Sequence, residues 1–243
     1  MTFALARMMP AYSSGNPADD YIASLAPELF YKFNETSGTA IANYGTLGGA
    51  GTWTPGAGSL GNASPLGLSA DFDGSNSRLE YANNATMANA EEFSGGELIY
   101  VDSAGKTSSG ALWIWGTLST AYNLRFSSGL ALVGRVDYAT DAITLTSATL
   151  TTGVWQWIFW KYSLSGDRKL HVYRGVNGVV AELAYTTNTA SSGAYSAPAG
   201  SFMVGAASNN SLNFDGKIAR VFQKNSALAT STFDQIMALT PGV

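Results

Sequence analysis

Trp113 and Trp115 lie in ALWIW, and Trp155, Trp157 and Trp160 lie in WQWIFW. A tryptophan face left open to solvent stacks on a sugar ring or a partner surface, so these segments hold the most chemical potential in the chain. Side chains alternate along a strand, so Trp155, Trp157 and Phe159 share one face of the second segment, and Gln156, Ile158 and Trp160 share the other. One of these faces packs into a core. The second needs a loop folded over it, a sugar stacked on it or a partner subunit against it. Most of the rings are expected to be core. Trp113, Trp115, Trp160 and, on a neighbouring strand, Tyr173 are the candidate ligand contacts.

Acid–base chemistry is harder to place. Glycosidases need two carboxylates across one sugar bond, about 5–9.5 Å apart, and no Glu-x-Asp-x-x-Glu spacing occurs. Glu91 and Glu92 are adjacent, so on a strand they point to opposite sides, and in a loop they form a solvated surface. His171 is the one histidine and there is no cysteine, which leaves no nucleophilic triad, thiolate site or histidine-based metal centre to read. His171 shares a face with Lys169 and Tyr173 and is expected to be a partly exposed sheet residue. The chain is not expected to be an enzyme.

The composition constrains partners further. Charged residues are 12% of 243, and the formal net charge is −4, so there is no basic field to hold nucleic acid or an anionic membrane. No disulfide can form, and the core must hold the chain. MTFALARMMPAYSSG is broken by Arg7 and Pro10 before it reaches the apolar length of a secretory signal. VWQWIFW, the densest apolar run, is strand-length and too short to span a bilayer.

The elements follow from periodicity and turn chemistry. Asn16-Pro17-Ala18-Asp19 has the cap, first-turn proline and acidic residue of a helix start, which predicts a short helix through Leu25. Residues 1–26 are read as an N-terminal arm outside the core whose removal costs little stability, and 27–243 as the main domain. ELFYKFN alternates Leu29, Tyr31 and Phe33 against Phe30 and Lys32. Residues 39–68 read as loop with a short strand around Trp53, and 82–96 as loop or a turn of helix. Asn177-Gly178 is a two-residue hairpin signal. Ser231 and Asp234 have capping-box spacing, which predicts a helix over 231–239 that packs Phe233, Ile236 and Met237 on the sheets. About a dozen short strands with few helices give an all-β class, a two-sheet antiparallel β-sandwich.

Four ordered segments carry a resemblance: LFYKFNETSGT, LSADFDGSNSRLEY, TTGVWQWIFWKYSLSGDRKLHVYRGVNGVV and FDGKIARVFQKNSALATSTFDQI. Together they resemble the laminin-G-like, concanavalin A-like jelly-roll superfamily over Leu29 to Leu239, a likeness specific for fold and not for function. It implies no cofactor except calcium, for which Asn34, Glu35 and Asn43 are weak ligand candidates. Asn34, Asn43 and Ala219 stand where relatives often have Asp, which weakens the site, and Asn and Asp side chains bonding their own turns account for these positions without a metal. Free-standing domains of this kind look like those of bacteriophage virions. The expectation is therefore a virion surface protein (capsid decoration, head fibre or tail fibre) made in the host cytoplasm, joined to other virion proteins through residues 1–25. It would be homo-oligomeric and bind surface glycans weakly. The alternative is a carbohydrate-binding or adhesion module of a secreted or cell-surface bacterial protein. The repeated Phe-Asp-Gly, at Asp73 and Asp215, reads as turn chemistry at two strand ends.

Overall fold

The computed structural model describes residues 15–88, 91–103, 110–117, 120–127, 129–197, 200–207 and 212–243, excepting the side chains of 88, 110, 111, 115–117, 120 and 121. In chain order the elements are α1 (Pro17–Ser24), β1 (Leu29–Tyr31), β2 (Ala40–Ala42), β3 (Ala50–Thr54), β4 (Ser59–Ser64), β5 (Gly67–Asp73), β6 (Arg78–Tyr81) and α2 (Ala85–Ala88). There follow β7 (Glu92–Ser103), β8 (Gly110–Thr117), β9 (Thr120–Phe126), β10 (Ala131–Val136), β11 (Tyr138–Thr140), β12 (Ala142–Thr149) and β13 (Trp155–Ser163). The chain ends with β14 (Leu170–Val176), β15 (Val179–Glu182), β16 (Tyr185–Thr189), β17 (Ser192–Tyr195), β18 (Phe202–Val204), β19 (Asp215–Lys224) and α3 (Thr230–Ala238).

Two antiparallel sheets pack as an all-β sandwich. One runs β15-β14-β13-β7-β19-β5-β4 with β1 also paired to β19; the other runs β16-β12-β10-β9-β8-β18-β6-β3-β2. The inter-sheet core holds Leu29, Tyr31, Phe33, Phe72, Ile99, Trp113, Tyr122, Ile158, Trp160 and Val221, all buried. Rings stack across it: Trp113 lies 5.3 Å from Trp160, and Phe93 lies 4.7 Å from Tyr122.

WQWIFW buries both faces, because a third layer covers the eight-stranded sheet from outside. Phe30, Trp157, Phe159 and Phe222 point away from the sandwich interior and are closed over by Ala18 and Ile22 of α1 and by Phe233, Ile236 and Met237 of α3. Phe233 stacks on Phe159 at 4.7 Å, and Trp157 Nε1 donates to Thr240 Oγ1 at 3.1 Å. The cover is therefore this chain's own helices. α3 starts at Thr230 after Ala229, with no side-chain cap, so Ser231 lies inside the first turn and the expected capping box does not form.

In the segment read as loop or a turn of helix, 82–96, α2 is that turn of helix, and strand β7 corrects the reading over 92–96. Its Gly95 and Gly96 are required by packing: a Cβ on Gly95 would lie 2.6 Å from the Trp160 ring, and one on Gly96 2.5 Å from Phe159. The hairpin forms as read, with Asn177 at φ 52° and Gly178 at φ 77°. The two Phe-Asp-Gly segments are neighbours in the sheet, with Asp215 opposite Asp73 in the β19–β5 ladder.

The helix of the expected arm is docked, which corrects its placement outside the core. Asn16 caps α1, its Oδ1 accepting from the N–H groups of Ala18 at 3.0 Å and Asp19 at 3.3 Å. Asp19, 2% exposed, meets Arg220, 1% exposed, through Arg220 Nε at 2.6 Å from Oδ1 and Nη2 at 3.1 Å from Oδ2. The other guanidinium donors reach the carbonyls of Lys32, Leu66, Leu68 and Ala219. A register shift in the β19–β7 pairing falls between Ile218 and Arg220, where the side chain turns to the covered outer face. Residues 1–14 of the arm lie outside the described residues.

Removing one member of a buried pair leaves the other charged and without compensation. Asp19→Ala is expected to cost about 3–5 kcal/mol in urea unfolding, and deletion of 1–25 to lower the melting temperature markedly. An unchanged midpoint for both would show that α1 is dispensable.

Glu97 sets a second expectation. It is fully buried on β7 between Val221 and Ile158, and neither carboxyl oxygen has a hydrogen-bond partner among the described residues. Burial pushes its carboxyl well above the ordinary 4.5. The folded chain then keeps a proton that the unfolded chain releases, so stability falls as pH rises above about 4.5 toward the raised value. Glu97→Gln is expected to match the parent below pH 4 and to gain on it progressively above that window. Parallel melting curves over the whole range would contradict the burial of a titrating acid.

Candidate functional site

Three of the four candidate contacts are inside the protein. Trp113 is 1% exposed and Trp160 fully buried, with Trp160 Nε1 donating to Gln223 Oε1 at 3.2 Å. Tyr173, 6% exposed, lies beneath Phe233 at 5.5 Å. None of these rings presents a face that a sugar can reach, because the second sheet or α3 already occupies it. Trp115 pairs through its backbone with Tyr122 and Phe202, and its side chain lies outside the described residues.

The calcium candidates are turn residues. Asn43 Oδ1 accepts from Phe30 N at 2.8 Å and Gly45 N at 2.9 Å, and its Nδ2 donates to Gly48 O at 2.9 Å, so the amide organises the 43–49 turn. Glu35 Oε1 accepts from Ala42 N at 3.0 Å, and Asn34 is exposed. Among the described residues no group of three or more His, Cys, Asp or Glu side chains is placed to hold a metal.

His171 is half-buried and lies between two carboxylates: Nδ1 is 2.6 Å from Glu182 Oε1, and Nε2 is 2.8 Å from Asp167 Oδ2. The Tyr185 hydroxyl also donates to Glu182, at 2.8 Å. The cluster borders a depression of about 410 Å³ with Lys161, Ser163 and Leu228. Asp167 comes from a turn and Glu182 from the next strand, which is why spacing did not reveal them.

Among the described residues, the helices leave one end of the eight-stranded sheet's outer face partly exposed. There a row of side chains crosses five strands in register: Trp155 on β13 opposite Tyr100 on β7, Tyr100 opposite Lys217 on β19, Lys217 opposite Asp71 on β5, and Asp71 opposite Ser59 on β4. At about 4.8 Å per strand the row is about 19 Å long. Trp155 and Tyr100 are each half-buried, with ring centroids 5.6 Å apart at 57°. Lys217 Nζ sits 4.8 Å from the Tyr100 centroid, 3.4 Å from Asp102 Oδ2 and 4.0 Å from Asp71 Oδ1. The arrangement pairs an aromatic step with fixed hydrogen-bonding groups on rigid strands, which is what an oligosaccharide needs.

Two carboxylates, Asp71 and Asp102, pair with Lys217. Burial pushes the Asp71 carboxyl up, Lys217 pulls it back, and Asp102, Asp215 and Asp73 push it up again, leaving it above its ordinary value. Asp73 goes the other way. Its partial burial acts upward but is outweighed by the N–H groups of Ala57, Asn76, Ser75 and Ser77, which hold it well below the usual carboxylate range. The bonds from Ser75, Asn76 and Ser77, 2.9–3.1 Å long, close the Asp73–Ser77 turn beside the row, and the one from Ala57, at 2.8 Å, ties it to the β3–β4 connection.

The architecture is that of an all-β jelly-roll sandwich. No known protein family and no curated protein matches the chain. Solved structures match in fold. Trypanosoma rangeli sialidase in complex with sialic acid aligns with a TM-score of 0.61 at 11% identity, over 91% of this chain and 36% of the sialidase. The chain therefore spans about a third of that enzyme. The CBM40 domain of Ruminococcus gnavus IT-sialidase, bound to α2,3-sialyllactose, aligns with a TM-score of 0.52 at 12% identity, over 71% of this chain and 96% of the domain. No described helix is long and apolar enough to cross a membrane.

Asp73→Ala removes an acceptor used by four backbone donors and is expected to cost about 1 kcal/mol, the size of a lost cap. The folded-state pKa is depressed, so the parent's advantage holds above the ordinary carboxylate range and shrinks as pH falls through it. Chemical unfolding at pH 7 and pH 3 checks both parts. A difference that grows in acid would contradict the assignment.

Proposed function

We propose that the chain is a non-catalytic carbohydrate-binding β-sandwich module that takes its glycan along the row Trp155, Tyr100, Lys217, Asp71 and Ser59. The observation that carries this reading is the aromatic step of Trp155 and Tyr100 standing beside Lys217 and Asp71 on neighbouring strands. The fold shared with the CBM40 domain, whose structure holds sialyllactose, supports it. A stacked ring supplies area at little entropic cost, and the flanking groups orient the sugar's hydroxyls.

The virion-surface role ranks second. It needs residues 1–25 as an anchor to neighbouring proteins, whereas Ala18, Asp19 and Ile22 are buried against this chain's own sandwich. Neither of the two proteins compared above is a virion protein, and homo-oligomerisation has no independent support.

A glycan array followed by calorimetry tests the proposal. Binding to at least one oligosaccharide is expected, with Trp155→Ala and Tyr100→Ala each weakening it about tenfold, or ~1.4 kcal/mol, and leaving the melting temperature within a few degrees. Binding that ignores both substitutions would move the site elsewhere, and silence across the array would favour a structural role.

A further inference from the structure

We infer that the row selects sugar residues without an anionic group, so that sialylated, uronic and sulfated glycans are disfavoured on it. This rests on the glycan-binding reading of the same row. The site itself is defined by the aromatic step and the register of its strands, and the surrounding carboxylates set what it accepts.

The first reason is charge. Lys217 is paired with Asp71 and Asp102, and Asp73 and Asp215 stand opposite each other two residues along the same β19–β5 ladder, so four carboxylates share this end of the sheet with one lysine, a formal balance of −3. The cation is already engaged, since Nζ lies within 4.0 Å of two carboxylates and over the Tyr100 ring at 4.8 Å. An arriving carboxylate or sulfate would therefore displace existing partners rather than meet an available charge. From Tyr100 to Asp71 is two strand spacings, about 10 Å. That exceeds the Debye length of about 8 Å at physiological ionic strength, where the repulsion is largely screened, and lies within the roughly 14 Å that holds at 50 mM salt, where it reaches the stacked sugar.

The second reason is donor–acceptor matching. Ionised carboxylates only accept hydrogen bonds, and Asp71 and Asp102 keep 34% and 43% of their side-chain surface exposed. They suit a ligand rich in hydroxyl donors. A sugar carboxylate offers none, and would face acceptors with acceptors. Asp73 is held by backbone N–H groups, and Asp215 accepts from the Ser103 hydroxyl, so neither turns into a donor. The predicted preference is thus for neutral hexoses.

The test uses the full chain and matched ligand pairs: a neutral oligosaccharide that binds, and the same oligosaccharide bearing a terminal α2,3-sialic acid or an oxidised uronate. At 50 mM salt the charged member is expected to bind at least tenfold more weakly. Asp71→Asn with Asp102→Asn should narrow that ratio several-fold, as should 0.5 M salt, while Trp155→Ala weakens both members. Equal or tighter binding of the anionic member, lost in Trp155→Ala, would overturn the selectivity and keep the site. Neutral binding that is indifferent to Trp155→Ala and Tyr100→Ala would instead overturn the site, and the selectivity with it.

Discussion

One guanidinium holds three parts of the chain in register. Arg220 is buried on the last strand, and its donors are accepted by Asp19 of the first helix, the carbonyl after the first strand at Lys32, and the carbonyls of Leu66 and Leu68 where β5 begins. A charge so far from water is tolerable only when every donor is answered, and here protein oxygens surround it. The pair spans 201 residues, so it forms only when the ends of the chain have met on the sheet.

That constraint decides which part of the sheet stays open. With α1 fixed over Arg220 and α3 stacked on Phe159, the middle of the outer face is covered by Ile22, Phe233 and Met237. Beyond them, the strands that Arg220 aligns, β19 and β5, carry Lys217 and Asp71 to the partly exposed end. There β7 and β13 add Tyr100 and Trp155. The row is rigid because its strands are buried on the opposite face by Phe72, Ile99 and Ile158. A binding surface of this kind needs little reordering when a ligand arrives, which lowers the entropic cost of association.

Several features set by nearby residues were legible in the sequence, while the equally local capping box at Ser231 and Asp234 does not form. The Asn16 cap, the Asn177-Gly178 hairpin and the two-faced aromatic strand are decided within a few residues, and each appears as read. The second half of β7, Glu97 to Val101, reads as strand from sequence, but its first half was hidden because Gly95 and Gly96 look like loop residues until the Trp160, Phe159 and Phe222 rings that exclude a Cβ are known. The partnership of the two Phe-Asp-Gly segments and the Asp19–Arg220 pair depend on long-range strand register, which composition does not encode. The site shows the same division. Trp155 was visible as part of an aromatic face too large for one core, but Tyr100, Lys217 and Asp71 come from three strands distant in sequence. Trp113 and Trp160 drew attention by type alone, and packing places both between the sheets.

A crystal structure of the chain with a neutral oligosaccharide identified by array tests the central claim most directly. A sugar ring stacked on Trp155 or Tyr100 is expected, with hydroxyls donating to Asp71 or Asp102. A ligand seated on the outer face of the nine-stranded sheet, or in the depression beside His171, with the row empty, would contradict it.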